Sequence, residues 1–166
     1  MPAQDRKPPT RNNDEIRRAA DLLIDTLILH GIDRVCCVPG ESYLSVFDGL
    51  SQHPSADVIT CHHESGAAFM ALSDARLTGR PGVAFVSRGP GAMNAAIAVH
   101  SAEQDAVPLI LSVGQVEREH RHMGAFQEVD YEHVFGSMVK WVIEIDHSFR
   151  RNADLQRSPG PTIRPP

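Results

Sequence analysis

The stretch "DVITCHHESGAAFMALSDARLTG", residues 57–79, decides how the chain is read. Its opening, DVITC, is β-favouring and apolar enough for a short buried strand. From residue 65 to 78 the pattern turns helical: Ala67, Ala68, Ala71, Leu72 and Ala75 fall on one stripe, and Gly79 is suited to end the helix. A strand feeding a helix is the repeating unit of an α/β fold. The junction between them carries two histidines and a carboxylate, Glu64.

The same alternation extends in both directions. "DEIRRAADLLIDTLILHG" (14–31) has Ile16, Ala19, Ala20, Leu23 and Leu27 at helical spacing, with Asn13 as a cap, Asp14 and Glu15 at the positive end of the dipole and Gly31 at the close. "RVCCV" (34–38) reads as a strand, "PGE" as a turn, and 42–50 as a second helix. "GVAFVS" (82–87) is the third strand, followed by the turn "RGPG" and a helix to about 102. "PLILSVG" (108–114) is the fourth strand; a polar loop over 115–128, a short helix over 129–135 and a fifth strand, "VKWVIEI" (139–145), complete the series. Short apolar strands alternating with helices predict an α/β fold: a doubly wound, mainly parallel sheet of about five to six strands with helices on both faces. Such sheets bind ligands at the carboxyl ends of their strands. Each strand exit here carries an unusual turn: Pro39-Gly40-Glu41, His63-Glu64-Ser65, Gly89-Pro90-Gly91 and Gly114-Gln115.

Size and composition narrow the class. The 166 residues suffice for one domain, expected over 14–149, with a disordered leader over 1–13 and an irregular tail from 150 onward. With 21 acidic against 16 basic residues and no basic stripe, nothing is built for nucleic acid. No run approaches the ~18 apolar residues of a membrane span, and the first residues lack the apolar core of a signal peptide. Cys36, Cys37 and Cys61 all lie in apolar runs; an odd number in such positions reads as small core residues of a cytoplasmic protein.

A glutamate in the first turn of a helix is favourable by up to ~1 kcal/mol, and that alone accounts for many of them. The alanine stripe that follows adds a second consideration. It lets another element approach closely, so Glu64 is expected to be at least partly buried, where a carboxylate must be paired or protonated. A metal site is disfavoured. His62 and Glu64 converge but His63 points away, and His120 and His122 stand in a loop. A nucleotide-binding, Rossmann-like site is weak too, because "GPGAMN" (89–94) lacks the third glycine of the fingerprint.

In order, "GIDRVCCVPGESYLSVFDGL", "HHESGAAFMALSDARLTGRPGV", "SRGPGAMNAAIAVHSAEQDAVPLILSVGQ" and "GAFQEVDY" resemble the N-terminal, pyrimidine-binding (Pyr) domain of thiamine diphosphate enzymes, nearest the acetolactate synthase and benzoylformate decarboxylase branch. The resemblance spans about 14–149. It implies that Glu64 is catalytic: the family's glutamate hydrogen-bonds N1′ of the cofactor's aminopyrimidine and shares its proton, which promotes loss of the C2 proton and attack on a 2-keto acid. It implies that Val38, Pro39, Gly40, Pro90, Asn94 and Gln127 line the pyrimidine site, and that Phe126 and Gln127 face the substrate. Cys36-Cys37 stand where the family usually has Phe-Gly, and His62 where it often has Arg.

The resemblance stops short of a whole enzyme. Family members carry Mg²⁺ and the diphosphate on a later PP domain with a GDG motif; the nearest match here is "FDG" (47–49), inside a helix. Thiamine diphosphate is therefore expected in a shared site, with Mg²⁺ held only through a partner PP domain. The chain is expected to be truncated after the Pyr domain, inactive alone, and partnered by a second copy or by a chain carrying a PP domain. A homodimer would pair through the small-residue helix at 67–75. The alternative function is a non-catalytic dimerisation or regulatory module. In the fifth strand, Val139, Trp141 and Ile143 alternate with Lys140, Val142 and Glu144, so an apolar face is left uncovered and stability is expected to depend on a partner.

Overall fold

The computed structural model describes residues 18–145. The expected leader, the tail and the Asn13 cap with Asp14 and Glu15 lie outside the described residues. Helix α1 (Ala19–Leu29) leads to strand β1 (Arg34–Cys37), a 3-10 turn (Glu41–Tyr43) and α2 (Leu44–Ser51). Then come β2 (Asp57–Thr60), α3 (Glu64–Thr78), β3 (Gly82–Val86), α4 (Gly89–Gln104), β4 (Leu109–Val113), a second 3-10 turn (Arg118–His120) and α5 (Tyr131–Phe135).

All four strands are parallel, in the order β2-β1-β3-β4. The chain steps outward from β1 to β2, then returns to place β3 on the other side of β1. The sheet's switch point therefore lies between β1 and β3, where crevices at the carboxyl ends of strands form.

Strand alternation sorts the core into two unlike halves. Val35 and Cys37 of β1 and Val83 and Phe85 of β3 face α1 and α2, where they meet Ile24, Leu27, Tyr43, Val46 and Leu50. Cys36, Ala84 and Val86 face α3 and α4, which answer with Ala67, Ala68, Ala71, Ala92, Ala95 and Ala98. The first face is filled by large side chains and the second by small ones, so α3 and α4 lie close to the sheet and to each other. Burial pushes the Cys36 thiol up to about 11, with nearby Cys61 adding to the effect. Cys36 and Cys37 are thus protonated core residues, as expected.

Local signals fix both ends of α3 and the exit of α1. His63 caps α3 by accepting from Ser65 N at 3.2 Å, so the helix begins at Glu64, one residue earlier than its pattern suggested. Gly79 closes α3 at φ 72°, and Gly31 follows α1 at φ 82°. The second helix begins as a 3-10 turn because the Tyr43 ring is drawn into the core, with φ −145° at that residue.

The fifth strand is a correction. Residues 139–145 form no strand, and the described sheet has four strands rather than five or six. The first amides after α5 are spent on its exit: Met138 N and Val139 N both bond to Phe135 O, at 2.8 and 3.1 Å. Val139 and Val142 then pack on the α3–α4 core at a three-residue spacing, while Trp141 and Ile143 remain exposed. That spacing is incompatible with the two-residue alternation of a ladder.

The α3 small-residue stripe is likewise covered within the chain, by β3 and α4, and is not free to pair with a second copy. Its tightest point is Gly82, where an added Cβ would lie 2.0 Å from the Ala71 carbonyl oxygen. Gly82→Ala is therefore expected to lower stability by about 3 kcal/mol, because a backbone rather than a flexible side chain must move. Urea unfolding of the two proteins measures it, and an unchanged midpoint would refute the close contact.

Candidate functional site

The carboxyl edge of the sheet gathers the strand exits. Cys61 N bonds Cys37 O at 2.8 Å, extending the β1–β2 pairing one step beyond β2. His62 and His63 then carry the chain to Glu64, the first residue of α3. On the neighbouring strand, Val38 N bonds Phe85 O at 3.3 Å, and the Tyr43 hydroxyl donates to the Val38 carbonyl. Burial raises the Tyr43 phenol well above its ordinary range, with Cys37 and then Glu64 as smaller contributors, so it remains a donor. Gly40 lies against β3's exit: an added Cβ would sit 3.0 Å from Ser87 Cβ.

Helix α4 brings the other half. Gly89 has φ 30° and a Cβ there would be 2.7 Å from the Gln127 carbonyl oxygen, so both conformation and space require glycine. A Cβ on Gly91 would be 3.2 Å from Glu64 Oε1. One turn further on, Asn94 Nδ2 donates to Glu64 Oε2 at 2.9 Å. The helices α3 and α4 thus set Glu64 between a bare glycine backbone and an amide. Glu64 is half-buried, Val38 and Gly40 likewise, and Pro39, Pro90 and Asn94 are exposed: the site is an open rim.

Glu64 and Asn94 are therefore in direct contact. Val38, Pro39 and Gly40 belong to the adjacent exit and are tied to β3. Pro90 opens α4 beside Gly89, and Gln127 reaches that turn through its backbone. Gln127 is held at φ 64°, a conformation uncommon for a side-chain-bearing residue. Phe126 stands on the same loop but is 81% exposed. Among the described residues, no group of three or more His, Cys, Asp and Glu side chains is arranged to hold a metal ion.

The family model for the N-terminal TPP-binding domain of thiamine pyrophosphate enzymes matches residues 17–134. The chain belongs to that family. The acetolactate synthase of Bacillus subtilis (strain 168) is 37% identical over 128 residues, covering 77% of this chain and 22% of the relative. Acetolactate synthase isozyme 1 large subunit of Escherichia coli (strain K12) is 41% identical over 111 residues, 67% of this chain and 20% of the relative. The 2-succinyl-5-enolpyruvyl-6-hydroxy-3-cyclohexene-1-carboxylate synthase of Rubrobacter xylanophilus is 32% identical over 124 residues, 75% of this chain and 22% of the relative. The chain spans about a fifth of the length of these curated relatives.

Sequence reasoning missed three contributors. Gly91, within the same turn as Pro90, meets Glu64; the signal is the need for a bare residue opposite a carboxylate. His63, which strand alternation points away from Glu64, starts the helix that bears it. Tyr131, in "GAFQEVDY", has no role legible in the sequence, but its hydroxyl accepts from Gly89 N at 3.0 Å.

The loop ahead of α5 is organised by Glu128, which accepts from His122 N at 2.5 Å and Ala125 N at 3.1 Å. These backbone donors, His122 first, hold its carboxyl below the usual glutamate value of 4.5. The lowered value means that the ionised form is favoured in the folded loop. Its contribution is complete above the unfolded value, declines as pH falls below about 4.5, and is gone below the folded value. Amide exchange at His122 and Ala125, taken relative to the intrinsic rate at each pH, should accelerate as pH falls through that window in the natural chain. In Glu128→Gln it should be fast already at neutral pH and lose this acid step. A pH-independent loop in the natural chain would refute it.

Proposed function

We propose that this domain supplies the aminopyrimidine half of a thiamine diphosphate site in an acetolactate synthase-like 2-keto-acid decarboxylase or carboligase. The observation that carries the proposal is the Glu64–Asn94 hydrogen bond of 2.9 Å beside Gly91, on the strand-exit rim of a thiamine pyrophosphate enzyme domain.

The residues present fit the group. Asn94 occupies one carboxylate oxygen of Glu64, and Gly91 offers no side chain to cover the other. A ring nitrogen approaching the rim would meet an oriented, half-buried carboxylate able to share a proton with it. Val38, Pro39 and Gly40 supply the neighbouring wall, and the Pro90 turn closes the opposite side. Gln127 and the exposed Phe126 stand on the substrate side. When bound, thiamine diphosphate would supply the electron sink for cleavage beside a keto group. Glu64 would hold and return the proton at the pyrimidine nitrogen, and the apolar wall would exclude water. In this reading the diphosphate and Mg²⁺ are held by a PP domain outside this sequence, and the Pyr domain by itself is inactive.

Mixing the full chain with a separate PP-domain protein, thiamine diphosphate, Mg²⁺ and pyruvate should release carbon dioxide. Glu64→Gln should lower the rate at least about 10²-fold, the range of a positioned proton-transfer group. Equal rates for the two proteins would sink the role given to Glu64.

One observation favours assembly. The outer faces of α3 and α4, which pack side by side, expose Phe69, Met70, Leu77, Met93 and Ile97, with Leu77 at 87% and Ile97 at 59%. Exposed large apolar side chains on two neighbouring helices are the kind of surface that serves as a contact site. We assign it to a homodimer, formed by the outer side of α3 rather than by its alanine stripe. The same face also supports the second reading, a non-catalytic dimerisation or regulatory module. Sedimentation should give a dimer at micromolar concentration for the natural chain and a monomer for Ile97→Glu. A dimer with no response to cofactor would favour the module, and a natural monomer would remove both.

A further inference from the structure

We propose that Tyr131 is a positioning residue for the rim: its hydroxyl pins the Gly89–Pro90–Gly91 turn at the place where Gly91 and Asn94 meet Glu64. The inference deepens the cofactor reading of Glu64 and rests on it only for the binding result described below.

Helix α4 has no local cap. Arg88, its N-cap residue, makes no side-chain capping bond, and Gly89 N precedes the first intrahelical bond. The missing partner comes from 42 residues further along the chain. Gly89 N donates to the Tyr131 hydroxyl at 3.0 Å, and that hydroxyl lies 3.4 Å from the Gly114 carbonyl oxygen as a donor. The phenol therefore ties the exits of β3 and β4 together just beyond their last rung, Gly114 N to Val86 O at 3.0 Å.

The turn needs such a tether. Gly89 carries no side chain to steady it, and its φ of 30° is adopted with the Gln127 carbonyl pressed close. Two residues on, Gly91 abuts one oxygen of Glu64; five residues on, Asn94 bonds the other. A displacement at Gly89 is carried along the rigid first turns of α4 to both contacts. Tyr131 is itself anchored, half-buried on the α3–α4 core with its ring 6.4 Å from that of Phe135. Burial raises its phenol above the ordinary range, against the smaller lowering by Gly89 and Arg88, so it keeps its proton at neutral pH. Besides Gly89, the charged groups facing it are Arg88 and Glu144.

Tyr131→Phe in the full chain keeps the ring and removes only the tether. Nitrogen-15 NMR should show the Gly89 amide exchanging at least tenfold faster. The Asn94 side-chain amide resonances should move toward their positions in Glu64→Ala. Far-ultraviolet dichroism should remain that of the natural fold. Binding of 4-amino-5-hydroxymethyl-2-methylpyrimidine, followed by the same resonances, should weaken several-fold. Unchanged Gly89 exchange and Asn94 resonances would overturn the assignment. The natural chain carries an independent check against a variant that fails to fold: its Gly89 amide should be protected at least tenfold, and an unprotected amide would overturn the assignment equally. If the pyrimidine fails to bind the natural chain, the cofactor reading falls, while exchange and resonances still decide the role of Tyr131.

Discussion

The close approach of α3 to the sheet governs the rest of the structure. Gly82 leaves so little room that the Ala71 carbonyl occupies the space of a missing side chain. Around this contact, alanines of α3 interleave with alanines of α4 over Cys36 and Ala84. Small residues contribute little apolar area each, but they permit backbones to approach, and close packing compensates through many short dispersion contacts. The opposite face follows a different rule, with Phe85, Ile24 and Tyr43 filling the space by volume.

That packing has a chemical consequence. Glu64 begins α3, while Gly91 and Asn94 lie in the first turns of α4, so the two helix starts converge only because the helices lie so near each other. The carboxylate is kept at the rim, half in water, with an amide on one oxygen and bare backbone by the other. A larger residue at Gly91 would occupy the space in which the carboxylate lies. Packing on one face of the sheet is thus translated into the orientation of a carboxylate at its edge.

A second layer of control comes from the chain after β4. Its loop is folded by Glu128 on backbone donors, contributes Gln127 against Gly89, and enters α5 at Tyr131. These contacts join segments far apart in sequence around a single glycine turn. They make the rim a product of four strand exits and one returning loop. The exposed apolar side chains on the outer sides of α3 and α4 lie beyond this network.

The alternation of strand and helix was legible because each element carries its own periodicity and end signals. The stripe from Ala67 to Ala75, the buried run at 82–86 and the glycines at 31 and 79 required no knowledge of neighbours. The motif order carried the family, and Glu64 stood out as a carboxylate at a strand-to-helix junction. Residues 139–145 failed the same test, because an apolar run becomes a strand only if a partner edge receives its amides. There, the exit of α5 claims the first amides and the core claims Val139 and Val142 at the wrong spacing. The direction in which the α3 stripe faces, the meeting of Gly91 with Glu64 and the capping of α4 by Tyr131 were also invisible. A sequence by itself determines periodicity and local caps, which depend on near neighbours; contacts across tens of residues exist only once the sheet has brought its strand exits together.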